Sequence, residues 1–212
     1  MHKNLWLGKL LFCAAFLFIS SAGIAYSAPK TVLVLGDSLS AEYGLARGTG
    51  WVALLEQRLQ QKKLDVTVIN ASISGETTSG AASRIDALLK KYQPETVIIE
   101  LGGNDGLRGL PIAAAEQNFR SIIAACQKEK AHVLLAGMQI PPNYGRSYTD
   151  KFTAMYGTLA KETHVPLVPF LLEGVADKPE LFQADHIHMV AAAHPHILDN
   201  VWPYLLPLIS GK

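Results

Sequence analysis

The sequence predicts an α/β protein: one domain built on a parallel sheet with helices on both faces. Three observations carry this. Five apolar runs of strand length, at 31–35, 66–69, 96–101, 132–138 and 166–168, are separated by segments with helical spacing of apolar residues. Strands that alternate with helices pair in parallel through right-handed crossovers and must be covered on both sides. With 212 residues, 49% of them hydrophobic and 17% charged, the chain suffices for one substantial core and not for two.

The first run, in "TVLVLGDSLS", delivers Gly36, Asp37 and Ser38 to the carboxyl end of its strand, where side chains leave the core and ligands gather in open sheets. A first helix follows with Trp51, Leu55 and Leu59 on one face, and a second with Ala81, Ile85, Leu88, Leu89 and Tyr92. The third carries Ile112, Ala115, Phe119, Ile122, Ile123 and Cys126, and the fourth Phe152, Met155, Tyr156 and Leu159. Each set recurs at three- and four-residue intervals, the stripe of a helix packed on a sheet. A final helix holds Ile197 and Val201, and Pro203 and Pro207 are expected to distort it.

The amino-terminal segment is of another kind. Lys3 and Lys9 precede the apolar run "LLFCAAFLFI", and small residues follow in "SSAGIAYSA", which reads as a secretory signal peptide over residues 1–28, cleaved between Ala25 and Ala28. The uncharged stretch 10–29 approaches the length of a membrane span, so an uncleaved anchor is the alternative. The expected domain is then residues 29–212, periplasmic or secreted, without stable membrane insertion after cleavage, and monomeric.

Removing the signal takes away two lysines and no acids, leaving 17 basic against 18 acidic residues. This balance excludes an electrostatic case for nucleic acid as a partner. Cys13 reads as an ordinary apolar residue of the signal. Cys126 then stands alone in its helix stripe, with no partner for an internal disulfide, and reads as a buried small hydrophobe.

A serine hydroxyl attacks only when a base removes its proton, and the base needs a third group to hold its tautomer. Of seven histidines, His186, His188, His194 and His196 cluster near the carboxyl terminus, and among these four only His188 has an acid, Asp185, three residues before it. Acyl transfer also needs donors for an oxyanion. "NASISGET" after the second strand offers the Gly75 N–H, and "ELGGNDGLRG" after the third offers the Asn104 amide behind Gly102 and Gly103.

These segments together resemble the SGNH, or GDSL, hydrolases. "GDSLS" at 36–40, Gly75 in "SISGET", Asn104 in "GGND" and the D-x-x-H of Asp185 and His188 match the four family blocks in order. Beyond the blocks, "VINASISGETTSG", "PPNYGRSY" and "VPLVPF" look like the bacterial periplasmic thioesterase I, lysophospholipase and arylesterase group. The resemblance implies a flavodoxin-like three-layer α/β/α sandwich with a five-stranded parallel sheet. It implies Ser38 as nucleophile, His188 as base and Asp185 as its orienting acid. The oxyanion hole would be the Ser38 N–H, the Gly75 N–H and the Asn104 amide, and Asp37 would be structural. It further implies hydrolysis of small acyl esters, thioesters or lysophospholipids with no cofactor. Gly106, Leu107, Arg108, Pro142 and Tyr144, in segments that follow strands, are expected to bind the acyl group. The reading in another class is a catalytically weak lipid- or acyl-binding protein on the same fold.

The chain departs from the family at one block. D-x-x-H is usually followed by proline, often with glycine directly after the aspartate, and here His186 and Met189 fill those positions. The departure predicts a turn with more backbone alternatives and a less preorganised triad. It also creates H-x-H pairs at 186–188 and 194–196, but no cysteine or spaced carboxylate set completes a shell, so no metal is expected.

Overall fold

The computed structural model describes residues 30–210; the signal-peptide reading, with Cys13, falls outside them. Five strands, β1 (Lys30–Gly36), β2 (Val66–Asn70), β3 (Thr96–Glu100), β4 (His132–Ala136) and β5 (Leu167–Val168), form one sheet in the order β2-β1-β3-β4-β5. Every neighbouring pair is parallel. This is the flavodoxin-like order, whose direction of winding reverses between β1 and β3.

Among the described residues there are six α-helices: α1 (Trp51–Gln61), α2 (Thr78–Tyr92), α3 (Gly103–Leu107), α4 (Ile112–Lys128), α5 (Arg146–Thr163) and α6 (His194–Ser210). α1 packs with α6, and α4 packs with both α2 and α5, which gives the three layers. The predicted apolar stripes are the buried faces: Trp51, Leu55 and Leu59 on α1, Ala81, Ile85 and Leu89 on α2, and Phe119, Ile122, Ile123 and Cys126 on α4. Helix ends follow local chemistry. Thr77 caps α2 by accepting the Gly80 N–H at 3.3 Å, and Gln93 ends it in the left-handed conformation.

Residues 103–107, directly after β3, form the short helix α3. It is anchored by buried Asp105, which accepts the Thr78 N–H at 2.9 Å and the Thr78 hydroxyl at 2.6 Å. The final helix, α6, continues through Pro203 and Pro207. Pro203 and Pro207 lie four residues apart on its exposed face, where water can satisfy the carbonyls they leave without a donor. Among the described residues no helix is long and apolar enough to cross a membrane.

Candidate active site

The winding reversal between β1 and β3 brings the loops after those strands together. After β1 the chain turns at once: the Ser40 and Ala41 N–H groups donate to the Asp37 carbonyl at 3.3 and 3.0 Å. The Leu39 N–H donates to Asp37 Oδ1 at 3.0 Å. Ser38 is left projecting, and its own N–H finds no protein acceptor among the described residues.

His188 Nε2 lies 2.8 Å from Ser38 Oγ, and His188 Nδ1 lies 2.6 Å from Asp185 Oδ2. A carboxylate facing Nδ1 fixes that nitrogen as the protonated one, which leaves Nε2 as acceptor for the serine proton. The other Asp185 oxygen accepts the Ile187 and His188 N–H groups, each at 3.0 Å. These donors, the His188 N–H and ring first, hold the Asp185 carboxyl down to about 2. The Tyr43 ring packs on the His188 ring with centroids 4.3 Å apart.

From β3, Gly102 takes a φ of +98°, with the Tyr156 hydroxyl where its Cβ would stand, and so starts α3 with Asn104 facing the serine loop. Asn104 Nδ2 donates one hydrogen to Asp37 Oδ2 at 3.1 Å; the other is available to a ligand. Gly75, at φ +80°, likewise has an N–H without a protein acceptor among the described residues. Beneath the loop lies Glu100, fully buried. Its Oε2 accepts the Ser40 hydroxyl at 2.6 Å and the Asp37 N–H at 3.3 Å, and Ser40 Oγ in turn accepts from Trp51 Nε1 at 3.1 Å. Burial pushes the Glu100 carboxyl well above its ordinary range, reinforced by the neighbouring Asp37 charge. Burial also raises Asp37, to about 6, against the donors Leu39 and Asn104. Sequence reasoning missed Glu100, although an acid closing the apolar run "TVIIE" was a visible signal.

The turn that carries His188 accommodates both departures from the family block. His186 takes φ +55°, the left-handed region that glycine occupies without strain. Met189 is buried and forms an antiparallel bridge with Phe182, closed by Gln183 N–H to the His188 carbonyl at 2.7 Å and Val190 N–H to the Leu181 carbonyl at 2.8 Å. The expected loosening is thus met by a bridge that the sequence did not reveal.

A cavity of about 450 Å³ opens beside Ser38, Asn104 and His188, walled by Leu107, Ile140, Pro142, Phe170, Leu172 and Phe182 among others. Of the residues expected to bind the acyl group, Leu107 and Pro142 line it. The other three stand outside the wall. A Cβ on Gly106 would meet Ile140 and Phe152, Arg108 donates to the Gly75 carbonyl at 3.0 Å, and the Tyr144 hydroxyl donates to the Leu107 carbonyl at 2.9 Å. Spacing located the loops but not the strand-end residues Ile140 and Phe170. His194 is directed into the core, where its Nδ1 accepts the Trp51 N–H at 3.0 Å, and burial pushes the Cys126 thiol up to about 12.

The sequence profile of the GDSL-like Lipase/Acylhydrolase family matches residues 34–195. The chain is 50% identical over 183 residues to "Esterase TesA" of Pseudomonas aeruginosa, covering 86% of this chain and 91% of that protein. It is 44% identical over 195 residues to "Thioesterase 1/protease 1/lysophospholipase L1" of Escherichia coli K12, covering 92% of each. The crystal structure of the psychrotrophic esterase EstA from Pseudoalteromonas sp., inhibited by monoethylphosphonate, superposes with a TM-score of 0.81 at 40% identity, covering 85% of this chain and 99% of that one.

Proposed function

The chain belongs to the GDSL-like lipase/acylhydrolase family and is a serine ester hydrolase, and from this premise we propose that Ser38, His188 and Asp185 are its catalytic triad. The observation that carries the proposal is the continuous line from Asp185 Oδ2 through both ring nitrogens of His188 to Ser38 Oγ, at 2.6 and 2.8 Å. Ser38 Oγ attacks the ester carbonyl while His188 Nε2 takes its proton. The carbonyl oxygen becomes an oxyanion that accepts from Ser38 N–H, Gly75 N–H and the Asn104 hydrogen not given to Asp37. As the tetrahedral adduct collapses, His188 returns the proton to the leaving alcohol or thiol. Water activated by the same nitrogen then hydrolyses the acyl-serine.

The apolar wall supports an acyl chain as the group held in the cavity. At about 0.8 kcal/mol per buried CH₂, kcat/KM rises about fourfold per added methylene until the cavity is filled. Small esters, thioesters, aryl esters and lysophospholipids share the carbonyl this site addresses. We also propose export, with residues 1–28 removed, a domain of residues 29–212 and a monomeric enzyme; the mass of the exported protein tests the cleavage. Ser38→Ala tests the mechanism: hydrolysis of a chromogenic short-chain ester is lost while the protein stays folded. A variant keeping a tenth of wild-type turnover would remove Ser38 from this role.

A further inference from the structure

Ser38 and His188 lie 150 residues apart on different loops, whereas Asp185 and His188 share one tight turn. The second pair is held by local geometry. The first needs contacts that cross between the loops, and one half-buried side chain, Gln183, makes a hydrogen bond across beside the stacked Tyr43 and His188 rings. Gln183 Nε2 donates to the Tyr43 carbonyl and to the Met189 carbonyl, both at 2.9 Å. Two facing carbonyl oxygens identify that end as the amide nitrogen. On the histidine side, the Gln183 N–H donates to the His188 carbonyl at 2.7 Å, and the Gln183 carbonyl accepts the His186 N–H at 3.0 Å. On the serine side, the Tyr43 N–H donates to the Ser38 carbonyl at 3.3 Å, and the Tyr43 ring lies against His188. Gly44 completes the seat: a Cβ there would stand 2.2 Å from Gln183 Oε1, so only glycine lets the amide lie against this backbone.

We propose that Gln183 is a positioning residue whose amide clasps the histidine turn onto the serine loop and so sets the separation of His188 Nε2 from Ser38 Oγ. The proposal rests on the reading of Ser38 and His188 as the reacting pair. Gln183 is absent from the cavity wall, so its loss affects alignment and not acyl binding. The clasp also accounts for a turn that holds without the family's proline after the histidine. A hydrogen bond across to the Tyr43 carbonyl and another within the turn to the Met189 carbonyl restrict it where a ring would restrict it locally.

Gln183→Ala removes both donors, and Gln183→Glu places acceptors against two carbonyls. In each, kcat for a chromogenic ester falls by about 10- to 100-fold, KM stays close to wild type, and the factor is the same across acyl lengths. The downfield proton resonance of His188 Nδ1 persists, because the bond to Asp185 is made within the turn. Gly44→Ala displaces the amide without touching Gln183 and, because Gly44 holds φ +70°, also strains its own backbone; it lowers kcat at least as far, but costs clearly less in the Gln183→Ala background than in wild type. Wild-type kcat in folded Gln183 variants, a loss carried by KM, or additivity of the two substitutions overturns the clasp. If Gln183→Ala does not fold, Gly44→Ala with Gln183 intact carries the test, and wild-type kcat there overturns it. Retained hydrolysis in Ser38→Ala would instead sink the reading of the site itself. An inactive Ser38→Ala beside fully active Gln183 variants sinks the clasp alone.

Discussion

Glu100 folds back across Gly36, its register partner on the neighbouring strand, so that its Oε2 reaches the Ser40 hydroxyl at 2.6 Å and the Asp37 N–H at 3.3 Å. A Cβ on Gly36 would stand 2.8 Å from that carboxyl oxygen and 2.8 Å from Ser40 Oγ. The glycine ahead of Asp37 and Ser38 is therefore required by a side chain from the next strand, and the turn that projects the serine is built on a buried acid.

Gly36→Ala overpacks this contact, because Ser40 Cβ belongs to the turn and the Glu100 carboxyl can yield only by giving up the Ser40 hydroxyl and the Asp37 N–H. Overpacking costs about 1–3 kcal/mol, which for a domain of this size lowers the melting temperature by about 2–4 °C per kcal/mol. Thermal unfolding measures it, and turnover falls with it because Ser40 and the Asp37 N–H move together with Ser38. An unchanged melting temperature would mean that Glu100 swings aside freely.

Glu100→Gln separates charge from shape. Burial raises the folded-state carboxyl above its unfolded value, so its favourable contribution is complete below the unfolded value and is lost as pH rises through the folded one. The amide keeps an oxygen for Ser40 and Asp37 without titrating. Near-wild-type activity is expected, with a stability advantage over wild type that widens as pH rises; denaturant unfolding at several pH values reads it. Glu100→Leu leaves the Ser40 hydroxyl and the Asp37 N–H unpaired, at about 1–3 kcal/mol each. A Gln variant as impaired as Leu would show that the charge itself is needed.

Asp37→Asn probes the oxyanion donor from behind. Asp37 is buried and its carboxyl raised to about 6, so above that pH its charge opposes folding by up to about 3 kcal/mol, and the neutral amide raises stability there. The amide, however, has one acceptor for two donors, Leu39 N–H and Asn104 Nδ2. Turnover is expected to fall about tenfold at constant KM, while Asn104→Ala costs on the order of 10²- to 10³-fold. The double variant should lose little more than Asn104→Ala, since both act on one donor. Full additivity would mean that Asp37 acts elsewhere.

Periodicity made the layers legible because each helix stripe and each strand run states its own burial, and the Asp185–His188 spacing was readable because that bond is local. What stayed hidden depends on contacts distant in sequence. Gln183 meets Tyr43 across 140 residues, and Glu100 meets Ser40 across 60. The cavity wall at Ile140 and Phe170 was hidden for another reason: apolar residues just past strand ends read as more core. The α3 helix was obscured by its glycines, which suggest a loop until Asp105 and Thr78 are seen to tie it down.

The substitutions that would restore the family's turn, His186→Gly and Met189→Pro, should act in opposite directions. His186 sits at φ +55°, a conformation that costs an L-residue about 1–2 kcal/mol. Glycine removes that strain but gives back about 0.5–1 kcal/mol through its freer unfolded chain. The net gain is at most about 1.5 kcal/mol, and kcat should stay level because the Gln183 N–H and the Asp185 acceptor bonds already define the turn. Met189→Pro sacrifices no hydrogen bond, since the Met189 N–H has no protein acceptor among the described residues. It does remove a side chain that is 1% exposed, and emptying such a site costs about 2 kcal/mol or more. Paired thermal unfolding and steady-state kinetics on both single variants test this. A several-fold rise in kcat for His186→Gly would show that the left-handed histidine holds the triad out of line, and that the distances of 2.6 and 2.8 Å about His188 are not kept through turnover.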